Sequence, residues 1–113
     1  MPFKHGVDEQ RKKRLEGEIE RMKGIFPTMG IRKALLFGSA ARGDVIESSD
    51  IDLILIKDTE ARFLDRLEEA LAALEPKVDL DVLVYTPEEF EELVRTRPFF
   101  ERALKEGRVL YEA

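Results

Sequence analysis

The stretch LFGSAARGDVIESSDIDLILI, residues 36–56, decides the fold and the chemistry of this chain. It places Gly38 and Ser39 at the end of one apolar run and opens the next apolar run with two acids, Asp50 and Asp52. Carboxylates at the start of a strand are costly to desolvate unless a positive group neutralises them. The pattern therefore calls for a cation at this point of the chain.

The composition is that of a small domain with a highly charged surface. The chain has 113 residues, enough for one hydrophobic core, and we expect a single domain over residues 1–113. Its 24 acids and 19 bases give a net charge of -5, which disfavours direct nucleic-acid binding through bulk charge. The sequence has no cysteine and no apolar run of membrane-spanning length. These features predict a soluble cytoplasmic protein without membrane contact.

Hydrophobic periodicity predicts an α/β domain. Apolar residues at helical spacing indicate an N-terminal helix over about residues 8–26 and a second helix over about residues 60–75. Apolar runs predict strands over residues 31–37, 52–56 and 78–85. Because this order lacks the regular alternation of a doubly wound fold, we expect a mixed β-sheet with helices packed mainly on one face.

The C-terminal third carries clear helix boundaries. Thr86, Pro87 and Glu89 form the signature of a capping box that begins a third helix. A short fourth helix over PFFERALKE is expected to end at Gly107 and to release RVLY as a last strand.

Side-chain alternation gathers acids on one face of the predicted sheet. Asp50 and Asp52 share a face, and Asp79 and Asp81 open the corresponding face of the later strand. Neighbouring carboxylates repel one another unless a hard cation lies among them, and oxygen ligands without His or Cys favour Mg²⁺ or Mn²⁺ over zinc. Two acid pairs of matching alternation favour this metal site over the alternative, a solvated strand end.

The Gly-Ser pair provides features of a phosphate site. Gly38 allows close backbone approach, and Ser39 opens what reads as one short helical turn whose N–H groups can face an anion. Arg42 could add positive charge. Neither a P-loop nor a dinucleotide-binding GxGxxG motif is present in the sequence.

The combined motif resembles the signature of the DNA polymerase beta-like nucleotidyltransferase superfamily. Gly-Ser, a spacer of ten residues, Asp-hydrophobic-Asp-hydrophobic and an Asp on a later strand follow that signature. The stretch is similar in particular to the minimal nucleotidyltransferases, small proteins often paired with HEPN-domain proteins. The resemblance covers about residues 31–111 and implies a single small nucleotidyltransferase-fold domain. It also implies that Gly38 and Ser39 hold the nucleotide phosphates and that Asp50 and Asp52 bind metal.

The resemblance further implies a reaction. Two Mg²⁺ or Mn²⁺ ions would act on ATP, and AMP would pass to a hydroxyl acceptor, expected to be a HEPN-type partner protein. Asp81 is favoured over Asp79 as the third metal-binding and catalytic carboxylate, because its place five residues before TPEEF matches the family spacing better. Two alternatives stay open, namely a non-catalytic antitoxin that neutralises its partner by contact and a nucleotide sensor. Homo-oligomerisation is also left open.

Two other groups of residues have simpler interpretations. The run RKKR, residues 11–14, is predicted to be a solvated face of the first helix, with docking of an acidic partner as the alternative. Phe99 and Phe100 are predicted to be core residues in preference to a base-stacking platform.

Overall fold

The computed structural model describes residues 2–37 and 50–113, with side chains from residue 9 onward. In chain order the elements are α1 (Pro2–Ile25), a 3-10 turn (Phe26–Met29), β1 (Lys33–Phe37), β2 (Ile51–Ile56), α2 (Phe63–Leu74), β3 (Leu80–Tyr85), α3 (Pro87–Thr96), α4 (Pro98–Glu106) and β4 (Arg108–Glu112). The predicted order of helices and strands is confirmed. No helix among these described residues is both long enough and apolar enough to cross a membrane.

The four strands form one mixed sheet in the order β3-β2-β1-β4. Strand β1 runs antiparallel to both β2 and β4, whereas β2 and β3 are parallel. Parallel strands need a crossover, and α2 supplies it between β2 and β3. The predicted mixed sheet is confirmed. Because β2 and β3 are parallel, their first residues lie at the same end of the sheet.

Alternate residues of the strands belong to two separate apolar clusters, one on each face of the sheet. The larger cluster joins α1 and α2 to one face of the sheet, through Ile19 and Met22 of α1 and Ala70 and Leu74 of α2. The smaller cluster lies on the other face, where Phe90 of α3 and Ala103 of α4 pack against the strands, among them Leu35, Ile54 and Ile56. The expectation of helices mainly on one face is therefore wrong, because α1 and α2 cover one face of the sheet and α3 and α4 cover the other.

A buried carboxylate fixes α1 against the turn that leads into β3. Glu18 is 6% exposed and accepts hydrogen bonds from Arg21 at 2.9 and 2.7 Å and from the backbone N–H of Lys77 at 2.7 Å. The hydrogen bond from Arg21 lowers the pKa of the Glu18 carboxyl. Arg21 also donates to the backbone oxygen of Glu75, at the end of α2. These bonds hold α1 and the start of β3 in a fixed relation.

A second network holds α2 against the start of α3. The Arg66 guanidinium donates to both carboxylate oxygens of Glu89, at 2.7 and 3.2 Å, and to the backbone oxygens of Val84 and Ala61. Glu89 also accepts from the backbone N–H of Thr86, whose hydroxyl accepts from Glu89 N–H, so the predicted capping box is confirmed. The hydrogen bond between the two side chains lowers the pKa of Glu89 and raises that of Arg66.

Candidate active site

Two acids lie next to each other where the parallel strands begin. In the β2–β3 register Asp52 is the partner of Asp81, so their Cα atoms are neighbours on strands spaced about 4.8 Å apart and their side chains share a face. Asp52 is 7% exposed, whereas Asp81 is open to solvent. The pair therefore combines a buried carboxylate with an accessible one.

Asp50 lies in a bend immediately before β2 and is tied to the residues around it. Its Oδ1 accepts a hydrogen bond of 2.7 Å from Arg11 Nη2, and its Oδ2 accepts one of 3.1 Å from the backbone N–H of Asp79. The backbone N–H groups of Asp50 and Ile51 in turn donate to the carbonyl oxygen of Asp79, at 3.0 and 3.1 Å. These bonds join the starts of the two parallel strands.

The donor chemistry at this edge fits a hard divalent cation, although the three predicted acids are not assembled around one point. Asp52 and Asp81 offer oxygen ligands on a shared face, which suits Mg²⁺ or Mn²⁺. Within the described ranges, no group of three or more acidic, histidine or cysteine side chains has a metal-binding arrangement. Asp50 is bonded instead to Arg11 and to Asp79.

The predicted phosphate site lies outside the described residues. Gly38, Ser39 and Arg42 all fall between residues 37 and 50, so their assignment to nucleotide binding stays a prediction. Of the two candidates for the third carboxylate, Asp81 is the register partner of Asp52, whereas Asp79 contacts Asp50 through its backbone.

An aromatic cluster borders the acids on the β1 side. Phe37 is the register partner of Asp52 across the antiparallel β1–β2 pair, and its ring meets the ring of Phe99 edge-on at 5.5 Å. Phe99 meets Phe100 at 5.0 Å, and Phe100 packs in the smaller core, as predicted. Phe99 itself is 52% exposed, so its predicted core position is wrong: its ring packs on Phe37 and Phe100 but keeps a surface open to solvent.

Sequence reasoning missed the role of Arg11. This residue was expected on a solvated helix face, yet its side chain is only 40% exposed and its guanidinium forms an ion pair with Asp50. The two residues are 39 positions apart in the chain, and no local spacing relates them. The run of four cations at residues 11–14 is a signal for contact with an acid, but it does not indicate which acid.

Comparison with known proteins identifies the family. Residues 20–113 match the family described as Polymerase beta, Nucleotidyltransferase. This chain belongs to that family. Over 81 residues it is 38% identical to the protein of Methanocaldococcus jannaschii named "Putative protein adenylyltransferase MJ0604", and the matched region covers 72% of this chain and 79% of that protein. The resemblance to minimal nucleotidyltransferases is confirmed at the level of the nucleotidyltransferase family.

Two solved structures share the fold. A crystal structure of a "putative nucleotidyltransferase" from Sulfolobus solfataricus matches with a TM-score of 0.63 at 19% identity, covering 93% of this chain and 86% of that one. A crystal structure described as "the toxin-antitoxin with AMP-PNP" matches with a TM-score of 0.54 at 18% identity, covering 84% and 73%. At these identities the likeness concerns the fold, and the predicted small nucleotidyltransferase fold is confirmed.

Proposed function

We propose that this protein transfers AMP from ATP to a hydroxyl group of a partner protein, in a reaction that depends on divalent metal ions. The observation that carries the proposal is the in-register pair of Asp52 and Asp81 at the start of the parallel strands, in a chain of the nucleotidyltransferase family. The name of the Methanocaldococcus relative supports protein adenylylation, and the neighbour crystallised as a toxin-antitoxin with AMP-PNP supports an adenine nucleotide and a protein partner.

The proposed roles follow from the surroundings of each acid. Asp50, Asp52 and Asp81 would hold two Mg²⁺ or Mn²⁺ ions, and bound divalent ions would neutralise triphosphate charge and lower the pKa of the acceptor hydroxyl. The buried Asp52 would serve as one of these ligands, whereas the exposed Asp81 could also accept the hydroxyl proton. Gly38 and Ser39, aided by Arg42, would hold the phosphates.

The proposed reaction is a single displacement at the α-phosphorus of ATP. The acceptor oxygen forms a bond to this phosphorus, the bond from the α-phosphorus to the bridging oxygen breaks, and pyrophosphate leaves with that oxygen. The acceptor proton passes to Asp81 and then to solvent. Because Asp81 is exposed, a hydroxyl on the surface of another folded protein can reach the reacting atoms.

The proposed partner is a HEPN-domain protein in the cytoplasm. A second candidate function is a non-catalytic antitoxin that neutralises such a partner by contact. It is favoured by the ion pair between Arg11 and Asp50, which occupies an acid that the transferase needs. A nucleotide sensor that binds ATP without transfer is the third possibility.

Intact mass spectrometry of the partner protein tests these functions. The HEPN-domain protein is incubated with ATP, Mg²⁺ and either the wild type, Asp52→Ala or Asp65→Ala. Asp65 is an exposed acid on α2 and is the matched control. We expect an AMP-sized addition with the wild type and with Asp65→Ala, and none with Asp52→Ala. A stable complex whose partner has unmodified mass would support the antitoxin function, and ATP binding without complex or transfer would support the sensor.

A further inference from the structure

We propose that Arg11 and a divalent cation compete for Asp50, so that Arg11 is an exchangeable counter-ion that holds this carboxylate until metal replaces it. This inference rests on the proposed metal-dependent function and deepens it. Arg11 is thus a positioning residue, because it acts on the site through Asp50.

The first support is the state of the Asp50 carboxylate. One oxygen accepts from Arg11 at 2.7 Å and the other from the Asp79 N–H at 3.1 Å, so each oxygen already has a donor. Asp52 and Asp81 are register partners on one face. To act as a third ligand beside them, Asp50 has to exchange the Arg11 contact for metal, whereas its bond from the Asp79 backbone can persist on the other oxygen.

The second support is the packing of α1, which positions Arg11 near Asp50. Glu18 follows Arg11 by seven residues, about two helical turns, so the two side chains leave the helix on similar sides. The hydrogen bonds of Glu18 to Arg21 and Lys77 anchor this helix to the turn before β3. Leu15, one turn after Arg11, packs against the larger core. The helix backbone is therefore fixed near the site, and release of the Asp50 carboxylate from Arg11 requires only a rotation of the Arg11 side chain.

The third support is the exposure of the ion pair. The side chain of Arg11 is 40% exposed and that of Asp50 is 23% exposed. Water can therefore solvate the guanidinium after it leaves, and solvent at a partly exposed pair weakens the attraction between its two charges. A guanidinium on Oδ1 also places positive charge next to the position that a divalent cation would take. The two cations repel each other, and binding of one weakens binding of the other.

Binding of Mn²⁺ in the absence of nucleotide tests the competition without relying on activity. Free Mn²⁺ is measured by electron paramagnetic resonance for the wild type, Arg11→Gln and Arg14→Gln. Arg14 is exposed on the same helix, so its substitution removes the same charge without removing the contact to Asp50. We expect Arg11→Gln to bind Mn²⁺ about two- to fivefold more tightly than the wild type. Arg14→Gln should stay near the wild-type affinity.

The Asp50→Asn background shows whether the effect passes through this carboxylate. There, Arg11→Gln should leave Mn²⁺ affinity unchanged, and thermal melting of each variant checks its folding. Binding by Arg11→Gln when the wild type shows none also supports the competition. Equal gains for Arg11→Gln and Arg14→Gln would overturn it in favour of long-range charge, as would unchanged or weaker binding by Arg11→Gln. Those results leave the metal-dependent function standing, whereas no binding by any variant, even with ATP present, would remove both proposals.

Discussion

Two arginine–carboxylate pairs lie at opposite ends of the parallel β2–β3 pair. Their N···O distances are equal, but the burial of the arginine and the pattern of hydrogen bonds differ. Arg11–Asp50 and Arg66–Glu89 each have an N···O distance of 2.7 Å. The side chain of Arg66 is 10% exposed and also donates to two backbone oxygens, while that of Arg11 is 40% exposed. Glu89 accepts from both terminal nitrogens of its arginine, whereas Asp50 shares its oxygens between Arg11 and a backbone N–H.

The difference teaches that surroundings, and not contact distance, decide what an ion pair does. Loss of Arg66 would leave the carbonyl oxygen of Val84 without its buried donor, so this pair is part of the fold. Water can replace Arg11, so the pair at the acid end can open without disturbing the sheet. One end of the strand pair is fixed for stability, and the other end can exchange its partner.

The largest expected effect lies at the acid end and concerns catalysis. Asp81→Asn should reduce AMP transfer by about a hundredfold or more, because it removes a metal ligand and the proposed proton acceptor. Asp79→Asn should have a much smaller effect, since the interactions of Asp79 with Asp50 use its backbone, which the substitution retains. Initial rates of AMP incorporation at saturating ATP measure both. The reverse ranking would assign the third carboxylate to Asp79.

The next largest effect is expected when the Arg66–Glu89 pair is broken. Arg66→Gln should lower the free energy of unfolding by about 2–3 kcal/mol, somewhat below the usual cost of breaking a fully buried pair because Glu89 is partly exposed. Arg62→Gln, which removes an exposed arginine just before α2, is the matched control and should change stability by less than about 0.5 kcal/mol. Urea denaturation at neutral pH gives both values. Equal losses would show that the network around Arg66 has no special role.

The loss of stability in acid should depend on the buried, hydrogen-bonded carboxylate of Glu18. Arg21 lowers the pKa of Glu18 below its ordinary value of 4.5, so in acid the unfolded chain binds a proton more readily than the folded chain does. The contribution to stability is complete above that value and is lost as pH falls through the lowered folded pKa. Glu18→Gln should therefore lose less stability than the wild type between about pH 5 and pH 3. Urea denaturation at several pH values measures both proteins. If the free energy of unfolding fell equally with pH in the wild type and in Glu18→Gln, Glu18 would not be the source of the acid sensitivity.

Local chemistry explains which parts of the fold were predictable from sequence. The capping box of Thr86, Pro87 and Glu89 depends on neighbours within one turn. Strand alternation puts Asp52 and Asp81 on one face once the apolar residues of both strands pack in the same core. The Arg11–Asp50 contact depends on how a helix packs against a sheet, which neither alternation nor propensity specifies. The same holds for α3 and α4, whose amphipathic faces are visible in the sequence but whose choice of sheet face is set by tertiary packing.

The smallest expected effect tests the comparison itself. Arg11→Gln should change the free energy of unfolding by less than about 1 kcal/mol, and the change should shrink further in high salt, because the pair is partly exposed to solvent and therefore screened. A double-mutant cycle with Asp50→Asn isolates the coupling between the two side chains, and the same cycle on Arg66→Gln with Glu89→Gln gives the reference. We expect the second coupling to be clearly larger and less dependent on salt, since Arg66 is buried and its contact to Glu89 is twofold. Equal couplings would mean that Arg11 holds Asp50 as firmly as Arg66 holds Glu89, and exchange by a metal ion would then lose its physical basis.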